Sequence, residues 1–202
     1  MVHSKKTVIF DLDGTLIDTA SDIKAALDAS TAPLGLKPLE SSIVKFFVGK
    51  GSKFLIQKTF QIATRVPTEA ELNDTLQRFL RYYEYNIAKS SQPFPGIIEC
   101  LEWLLKNDFR IAVCTNKLEH LATKLLQDLD LLSYFHALTG GDTLGVRKPD
   151  PIHLEHTIQL AGGNKSHALM IGDSATDVQV ARNSHVPIIV VGWGYTQIPP
   201  AK

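Results

Sequence analysis

The sequence predicts a doubly wound α/β fold, with a five-stranded parallel sheet, helices on both of its faces and an all-helical domain inserted after the first strand. Two observations predict it. Five short apolar runs alternate with segments of helical periodicity, and runs that are apolar on both faces are typical of buried parallel strands. The gap between the first two runs is much longer than the others and contains only helical patterns, which indicates an inserted domain rather than a loop.

The five apolar runs are predicted to form one Rossmann-like sheet. They span residues 7–10, 110–114, 135–138, 167–171 and 187–191. Four segments with an apolar stripe at helical spacing separate them, at residues 95–106, 119–129, 152–160 and 176–183. Because strand and helix alternate along the chain, we expect parallel strands that are joined by helical crossovers.

The long gap has its own helical signals. Thr68 and Glu71 fit a capping box, in which the side chain of each residue binds the backbone N–H of the other. After this start signal, apolar side chains recur at the spacing of one helix face, at Leu72, Leu76, Phe79, Leu80, Tyr83 and Ile87. Shorter apolar patterns predict earlier helices near residues 23–27 and 54–60.

These patterns predict two domains in one chain. Residues 1–18 and 93–202 are assigned to the α/β core, and residues 19–92 to the inserted helical domain. Residues 90–96, SSQPFPG, are rich in residues that favour turns. This segment is predicted to be the connection that returns from the inserted domain to the α/β core.

Composition and charge exclude several classes of protein. The 202 residues include 21 basic and 21 acidic side chains, so no broad electrostatic attraction to nucleic acid or to an anionic membrane is expected. No segment has the length and apolarity of a membrane span or a signal peptide. Cys100 and Cys114 are predicted to be buried thiols, since two cysteines are too few for a disulfide framework. We therefore expect a cytoplasmic protein, as a monomer or a homodimer.

Polar side chains follow four of the five predicted strands. In a parallel sheet the carboxyl ends of the strands meet at one edge, where ligands bind. The residues that reach this edge in sequence order are Asp11, Asp13, Thr115, Asn116, Lys148, Asp173 and Asp177. The sequence therefore predicts one site that is assembled from four strand ends.

The aspartates predict a site for a divalent cation. Residues two apart on an extended backbone point the same way, so Asp11 and Asp13 can share a pocket. With Asp173 they would form a carboxylate cluster whose mutual repulsion a cation relieves. Hard oxygen ligands favour Mg²⁺. The seven histidines show no zinc-ligand spacing, and His153 and His156 are predicted to lie at the surface.

The same residues suit phosphoryl transfer. An ionised carboxylate is a candidate nucleophile that forms an aspartyl phosphate, and a second carboxyl group can protonate the leaving oxygen and later accept a proton from water. Lys148, the Thr115 hydroxyl and the backbone N–H groups of residues 12–14 are candidate donors to the phosphoryl oxygens.

The motifs DLDGTLID, VCTN, KPDP and GDSATD occur in this order, with a helical insert after the first. Together they resemble the haloacid dehalogenase superfamily of enzymes with a helical, C1-type cap. The resemblance implies an aspartyl-phosphate mechanism, with Asp11 as the nucleophile and Asp13 as the acid and base.

The resemblance also implies the binding residues. Thr115, Asn116 and Lys148 would hold the phosphate. Mg²⁺ would be bound by Asp11, by Asp13 through its backbone carbonyl and by Asp173, with Asp177 in support.

Asp13 and the segment FFVGKGSKFLI narrow the reaction class. Members that act on carbon–halogen bonds or on phosphonates lack an aspartate at the position of Asp13, so phosphate esters are favoured. Among phosphatases the chain looks most like phosphoglycolate phosphatases, which often have an arginine where Lys45 stands here. Lys45, Gly49, Lys50 and Gly51 are therefore the candidates for substrate selection by the cap, and 2-phosphoglycolate is the best candidate among small phosphorylated metabolites.

Two alternatives remain open at this level. A sugar phosphomutase shares this fold and these motifs, and it differs in moving the phosphate rather than releasing it. A non-catalytic binding protein on the same scaffold is disfavoured by the intact Asp11, Asp13, Lys148 and Asp173.

Overall fold

The structure is a computed structural model that describes residues 5–195. The strands are β1 (Lys5–Phe10), β2 (Ile17–Asp18), β3 (Gln92–Pro93), β4 (Arg110–Cys114), β5 (Ala137–Thr139), β6 (Gly163–Gly172) and β7 (Ile188–Val190). The α-helices are α1 (Ala20–Thr31), α2 (Ser41–Phe47), α3 (Ser52–Ile62), α4 (Glu69–Tyr85), α5 (Ile97–Lys106), α6 (Glu119–Asp128), α7 (Pro151–Leu160) and α8 (Ala175–Asn183). Within these residues no helix has both the length and the apolarity that a membrane crossing needs.

The main sheet confirms the predicted fold class. Its five strands are parallel and lie in the order β5-β4-β1-β6-β7, so β1 is central. Successive side chains of β1 point to opposite faces, and Val8 and Phe10 belong to one apolar cluster while Ile9 belongs to another. The first cluster extends into α5 and α6, and the second into α7 and α8. The sheet is therefore covered on both faces.

Four of the five strands differ in length or position from the predicted runs, and β6 differs most. β6 begins at Gly163, well before residue 167, because Gly163 pairs with Lys5. The register is irregular between this pair and the next one, Thr7 with Ala168. β5 ends at Thr139, one residue beyond the predicted run. Residues 164–166, near the start of β6, are polar and exposed, so the apolar pattern did not reveal them.

The expectation that His153 lies at the surface is wrong. Its side chain is 0% exposed, because α7 packs this side against the sheet together with Leu154 and Thr157. Burial and the neighbouring Lys148 charge lower the pKa of His153 to about 4. A neutral imidazole is therefore part of the core.

The helical insert consists of α1 to α4, between β2 and β3. The predicted capping box is present at the start of α4, where the Thr68 hydroxyl accepts from the Glu71 N–H (3.1 Å) and the Glu71 carboxylate accepts from the Thr68 N–H (3.0 Å). The inner face of α4 buries Leu72, Phe79 and Tyr83. The insert thus forms an apolar interior of its own that is continuous with the core cluster.

A short antiparallel pair joins the insert to the sheet. Ile17 pairs with Pro93 and Asp18 with Gln92, so the chain leaves and re-enters the core side by side. Asp22 in α1 reinforces this junction, since its carboxylate accepts hydrogen bonds from the backbone N–H groups of Ser90 and Ser91. The sequence predicted no strand here, because two residues are too few to show a period. The pair holds the insert, hereafter the cap, over the strand ends.

Candidate active site

Lys148 joins two of the predicted aspartates at the end of the central strand. Asp11 follows β1, and its backbone N–H donates to Ile171 in β6 (2.9 Å). The Lys148 ammonium donates to the carboxylates of Asp11 and of Asp177, each at 2.7 Å. All three side chains are almost completely buried. Strand ends that are far apart in sequence therefore meet here, as the sequence predicted.

A cluster of buried carboxylates surrounds this lysine. Oxygens of Asp11, Asp173 and Asp177 lie within 4.8 Å of one another. Burial raises the pKa of Asp11 to about 8 against the opposing effect of Lys148, and the charges of Asp177 and Asp173 add to the rise. Burial likewise raises the pKa of Asp173 to about 6. A divalent cation at this position would offset both the burial and the repulsion.

The residues present fit a divalent metal. Within residues 5–195 only Lys148 donates to the Asp11 carboxylate, through one oxygen, which leaves the other for a cation. Asp173 is fixed by the Tyr195 N–H (2.7 Å) and the Thr15 hydroxyl (3.3 Å). Gly14 allows this close packing: it has φ +88°, and a Cβ there would lie 2.6 Å from an Asp173 oxygen.

Asp177 has a different part in the cluster. One of its oxygens accepts from Lys148, and the other accepts from the Ser174 N–H and hydroxyl at the start of α8. Both oxygens are thus engaged by protein donors. Asp177 supports Lys148 and α8, and it is less available to a cation than Asp11, which within residues 5–195 has a protein donor on one oxygen alone.

The Asp13 carboxylate points away from this cluster and toward the cap. Its Oδ1 accepts from the Thr19 hydroxyl and from the Lys117 ammonium, both at 2.7 Å. Thr19 directly follows β2, so Asp13 is tied both to the cap junction and to the end of β4. Asp11 and Asp13 are close in the chain, but their carboxylates have separate partners.

Lys117 is a site residue that the sequence did not single out. Its side chain is only 6% exposed, and its ammonium also lies 4.7 Å from the ring centroid of Tyr83 in α4. Although burial opposes it, the Asp13 carboxylate raises the pKa of Lys117 above its usual value. The signal was available, because Lys117 lies two residues after Thr115 in the same strand-end turn.

Thr115 and Asn116 follow β4 as predicted. The Thr115 hydroxyl accepts from the Lys117 N–H (3.2 Å). Within residues 5–195 it donates to no protein group, so its own hydrogen can bind a ligand. The Asn116 amide donates to the carbonyls of Lys148 and of Gly49 in the cap, both at 3.1 Å. The Asn116 side chain therefore links the core to the cap, and its amide hydrogens are occupied by protein.

The sequence model of the haloacid dehalogenase-like hydrolases matches residues 8–191. This range includes every strand-end residue of the site. The chain belongs to the haloacid dehalogenase-like hydrolase family.

Relatives of this hydrolase agree on the type of reaction. A phosphoglycolate phosphatase of Agrobacterium fabrum is 43% identical over 191 residues, which are 95% of this chain and 82% of that protein. A phosphoglycolate phosphatase of Mesorhizobium japonicum is 41% identical over 193 residues, 96% of this chain and 85% of that protein. The crystal structure of a predicted phosphoglycolate phosphatase from Haemophilus somnus superposes with a TM-score of 0.91 at 26% identity, covering 100% of this chain and 92% of that one. The hydrolase is a phosphatase.

A cavity of about 230 Å³ separates the cap of this phosphatase from its strand ends. Asp13, Asn116 and Lys117 line it on the core side, and Lys53 and Arg147 add two further cationic side chains. Within residues 5–195, no carboxylate forms an ion pair with Arg147. The rest of the lining is mainly apolar and comes largely from the cap.

Of the four cap residues that the sequence predicted to select the substrate, the structure places two at the cavity and two outside its lining. Gly49 and Gly51 line the cavity, and a Cβ at Gly51 (φ +93°) would lie 3.1 Å from the Arg147 guanidinium. Lys45 and Lys50 do not line the cavity. The Lys45 ammonium lies 5.6 Å from the ring centroid of Tyr195, and that of Lys50 lies over a group of phenyl rings, those of Phe46, Phe47 and Phe54.

Proposed function

We propose that this phosphatase hydrolyses 2-phosphoglycolate through an aspartyl phosphate on Asp11, with Mg²⁺ as its metal. The observation that carries the mechanism is the buried Asp11 carboxylate at the end of β1, with one oxygen bound to Lys148 and Asp173 close beside it. The names of the relatives support the choice of substrate. The family membership and the shared fold support the reaction type.

The reaction would proceed in two displacements at phosphorus. An Asp11 oxygen attacks the phosphoryl group, the bond from phosphorus to the ester oxygen breaks, and Asp13 protonates the departing oxygen. Water then attacks the phosphorus of the aspartyl phosphate, Asp13 takes a proton from it, and inorganic phosphate and the Asp11 carboxylate are released. Lys117 and Thr19 hold the Asp13 carboxylate in place for both proton transfers.

The phosphoryl oxygens need positive charge and hydrogen-bond donors around them. Lys148, the Thr115 hydroxyl and the backbone N–H groups of residues 12–14 would supply these donors. Mg²⁺, held by Asp11, Asp173 and the Asp13 backbone carbonyl, would neutralise charge on the phosphoryl group when bound. Asp177 keeps Lys148 charged and in position.

The two cysteines bear on the cellular location that we propose. Cys100 and Cys114 are free thiols, and burial raises the pKa of Cys114 to about 11, so that thiol stays protonated and unreactive. We propose a reducing, cytoplasmic setting, in which both cysteines remain free thiols. We propose a monomer or a homodimer, since the residues proposed for catalysis lie together within one chain.

The test of this function is a panel of phosphorylated metabolites that contains 2-phosphoglycolate and several sugar phosphates, assayed with Mg²⁺. We expect release of inorganic phosphate, with the highest kcat/KM on 2-phosphoglycolate. A sugar phosphate whose phosphate is moved to another carbon without release would identify a mutase instead. Equal, low kcat/KM on every compound would reject the substrate assignment.

Asp173→Asn is expected to weaken Mg²⁺ binding at least about tenfold, because few protein oxygens are available to hold the ion. Asparagine keeps the shape that Gly14 and Tyr195 pack against but removes the negative charge. Isothermal titration calorimetry measures the affinity. Asp128→Asn is the matched control, since Asp128 pairs with Lys124 on the exposed face of α6. Unchanged affinity in Asp173→Asn would remove Asp173 from the metal site.

Arg147→Met is expected to raise KM for 2-phosphoglycolate about tenfold, the scale of one charge-assisted hydrogen bond, and to spare p-nitrophenyl phosphate. The reason is that 2-phosphoglycolate carries a carboxylate, and the Arg147 guanidinium lines the cavity beside Gly51. Lys53→Met should act in the same direction. Steady-state kinetics on both substrates measures the effect.

Lys45→Ala and Lys50→Ala are the comparison variants for this prediction. The sequence put these two lysines forward for carboxylate recognition, but their ammonium groups lie over aromatic rings and neither lysine lines the cavity. We therefore expect smaller changes in KM than in Arg147→Met. A larger effect of Lys50→Ala would return the role to the residue that the sequence favoured.

A further inference from the structure

The cavity under the cap is more apolar than 2-phosphoglycolate requires. Leu76, Phe79 and Leu80 face it from successive turns of α4, Leu55 faces it from α3, and Leu121 faces it from α6. The spacing of the three α4 residues places them on one stripe of the helix. 2-Phosphoglycolate has a single methylene between two anionic groups and can bury very little apolar surface against such walls.

The volume of the cavity exceeds what that small substrate fills. It measures about 230 Å³, and an apolar protein cavity of about 150 Å³ is large enough to bind benzene. Leu76 and Leu80 are only half-buried, so their apolar surface remains available to a ligand. A group of benzene size or larger would remove that surface from water.

The cavity is also placed where the departing group of an ester must lie. Asp13, the residue assigned to protonate the departing oxygen, lines its core side together with Lys117. In an ester whose phosphorus is next to Asp11, the ester oxygen would therefore lie near Asp13. The alcohol part would extend toward the leucines of α4. The polar end and the apolar end of the cavity match the two ends of such a molecule.

We propose that this phosphatase has a second class of substrates, phosphate monoesters of apolar alcohols, whose alkyl or aryl group binds in the cavity. The proposal rests on the phosphatase chemistry of the proposed function and not on the choice of 2-phosphoglycolate. The reaction is the same hydrolysis: the ester bond to phosphorus breaks, and the products are the alcohol and inorganic phosphate.

The decisive experiment is a series of straight-chain alkyl phosphates from ethyl to octyl, each below its micelle concentration. Their alcohols leave with nearly equal difficulty, so kcat/KM reports binding of the chain. We expect kcat/KM to rise roughly threefold to fourfold for each added methylene, and to level off or fall once the chain outgrows the cavity.

The outcomes separate the two proposals. A flat or falling series, in an enzyme that turns over 2-phosphoglycolate, overturns the apolar class and leaves the proposed function intact. A rising series without activity on 2-phosphoglycolate supports the apolar class and rejects the substrate assignment. Hydrolysis of neither kind of ester rejects both.

Variants of Leu76 locate the binding site of the chain. Leu76→Asn should lower the ratio of kcat/KM between hexyl and ethyl phosphate, and Leu76→Phe should move the optimum to a shorter chain because it fills part of the cavity. Leu105→Asn is the control, since Leu105 is an exposed leucine of α5 outside the cavity. Unchanged ratios and an unchanged optimum in both Leu76 variants would overturn the proposal, whatever the wild-type series shows.

Discussion

Asp11→Asn is expected to lower kcat by on the order of 10⁴-fold or more, the scale of losing a catalytic nucleophile. The amide keeps the shape of the side chain but cannot form the acyl phosphate that the mechanism needs. The measurement is a rapid-quench experiment with substrate labelled in the phosphoryl group. Wild-type protein should carry acid-stable label during turnover, and Asp11→Asn should carry none.

The measurement of label on the protein is needed in addition to kcat, because Asp11 is also a proposed metal ligand. A loss of activity alone would follow from weaker Mg²⁺ binding, so the variant is compared at saturating Mg²⁺. Asp150→Asn is the control for a conservative change, since Asp150 caps α7 away from the carboxylate cluster. Label in Asp11→Asn, or activity within tenfold of wild type, would contradict the assignment of the nucleophile.

Asp13→Asn should lower kcat ~10²–10⁴-fold on esters of poor leaving groups, which is the usual contribution of a general acid and base. The loss should be much smaller in the first chemical step with p-nitrophenyl phosphate, because p-nitrophenolate departs without a proton. Single-turnover rates on alkyl and nitrophenyl esters measure this step directly. Equal losses on both esters would argue that Asp13 has another role.

Lys117→Met extends the same prediction to the residue that holds Asp13. The two side chains are 2.7 Å apart and both are buried, so removing the ammonium should loosen the Asp13 carboxylate. We expect a smaller loss than in Asp13→Asn, with the same dependence on the leaving group. Lys124→Met, on an exposed face of α6, is the control. A uniform loss on all esters would show that Lys117 acts on something other than proton transfer.

Much of the fold was predictable because its signals are local. A buried parallel strand needs only a short apolar run, and β1 and β4 have apolar residues on both faces. The capping box at Thr68 likewise depends on residues three apart. β2 and β3 were missed because each has only two residues and owes its existence to its partner across the junction.

The sequence predicted which residues of the candidate site lie at the same edge of the sheet. The sequence by itself determined that Asp11 and Asp173 meet, because the carboxyl ends of parallel strands share an edge. Lys148 reaches them from the loop between β5 and α7. Only the tertiary structure decided which partner each side chain takes. Asp13 pairs with Lys117, a residue 104 positions away, and Lys50 lies over phenyl rings instead of in the cavity. The partner that each of these side chains takes depends on how the cap packs over the sheet. No local pattern in the sequence predicts that packing.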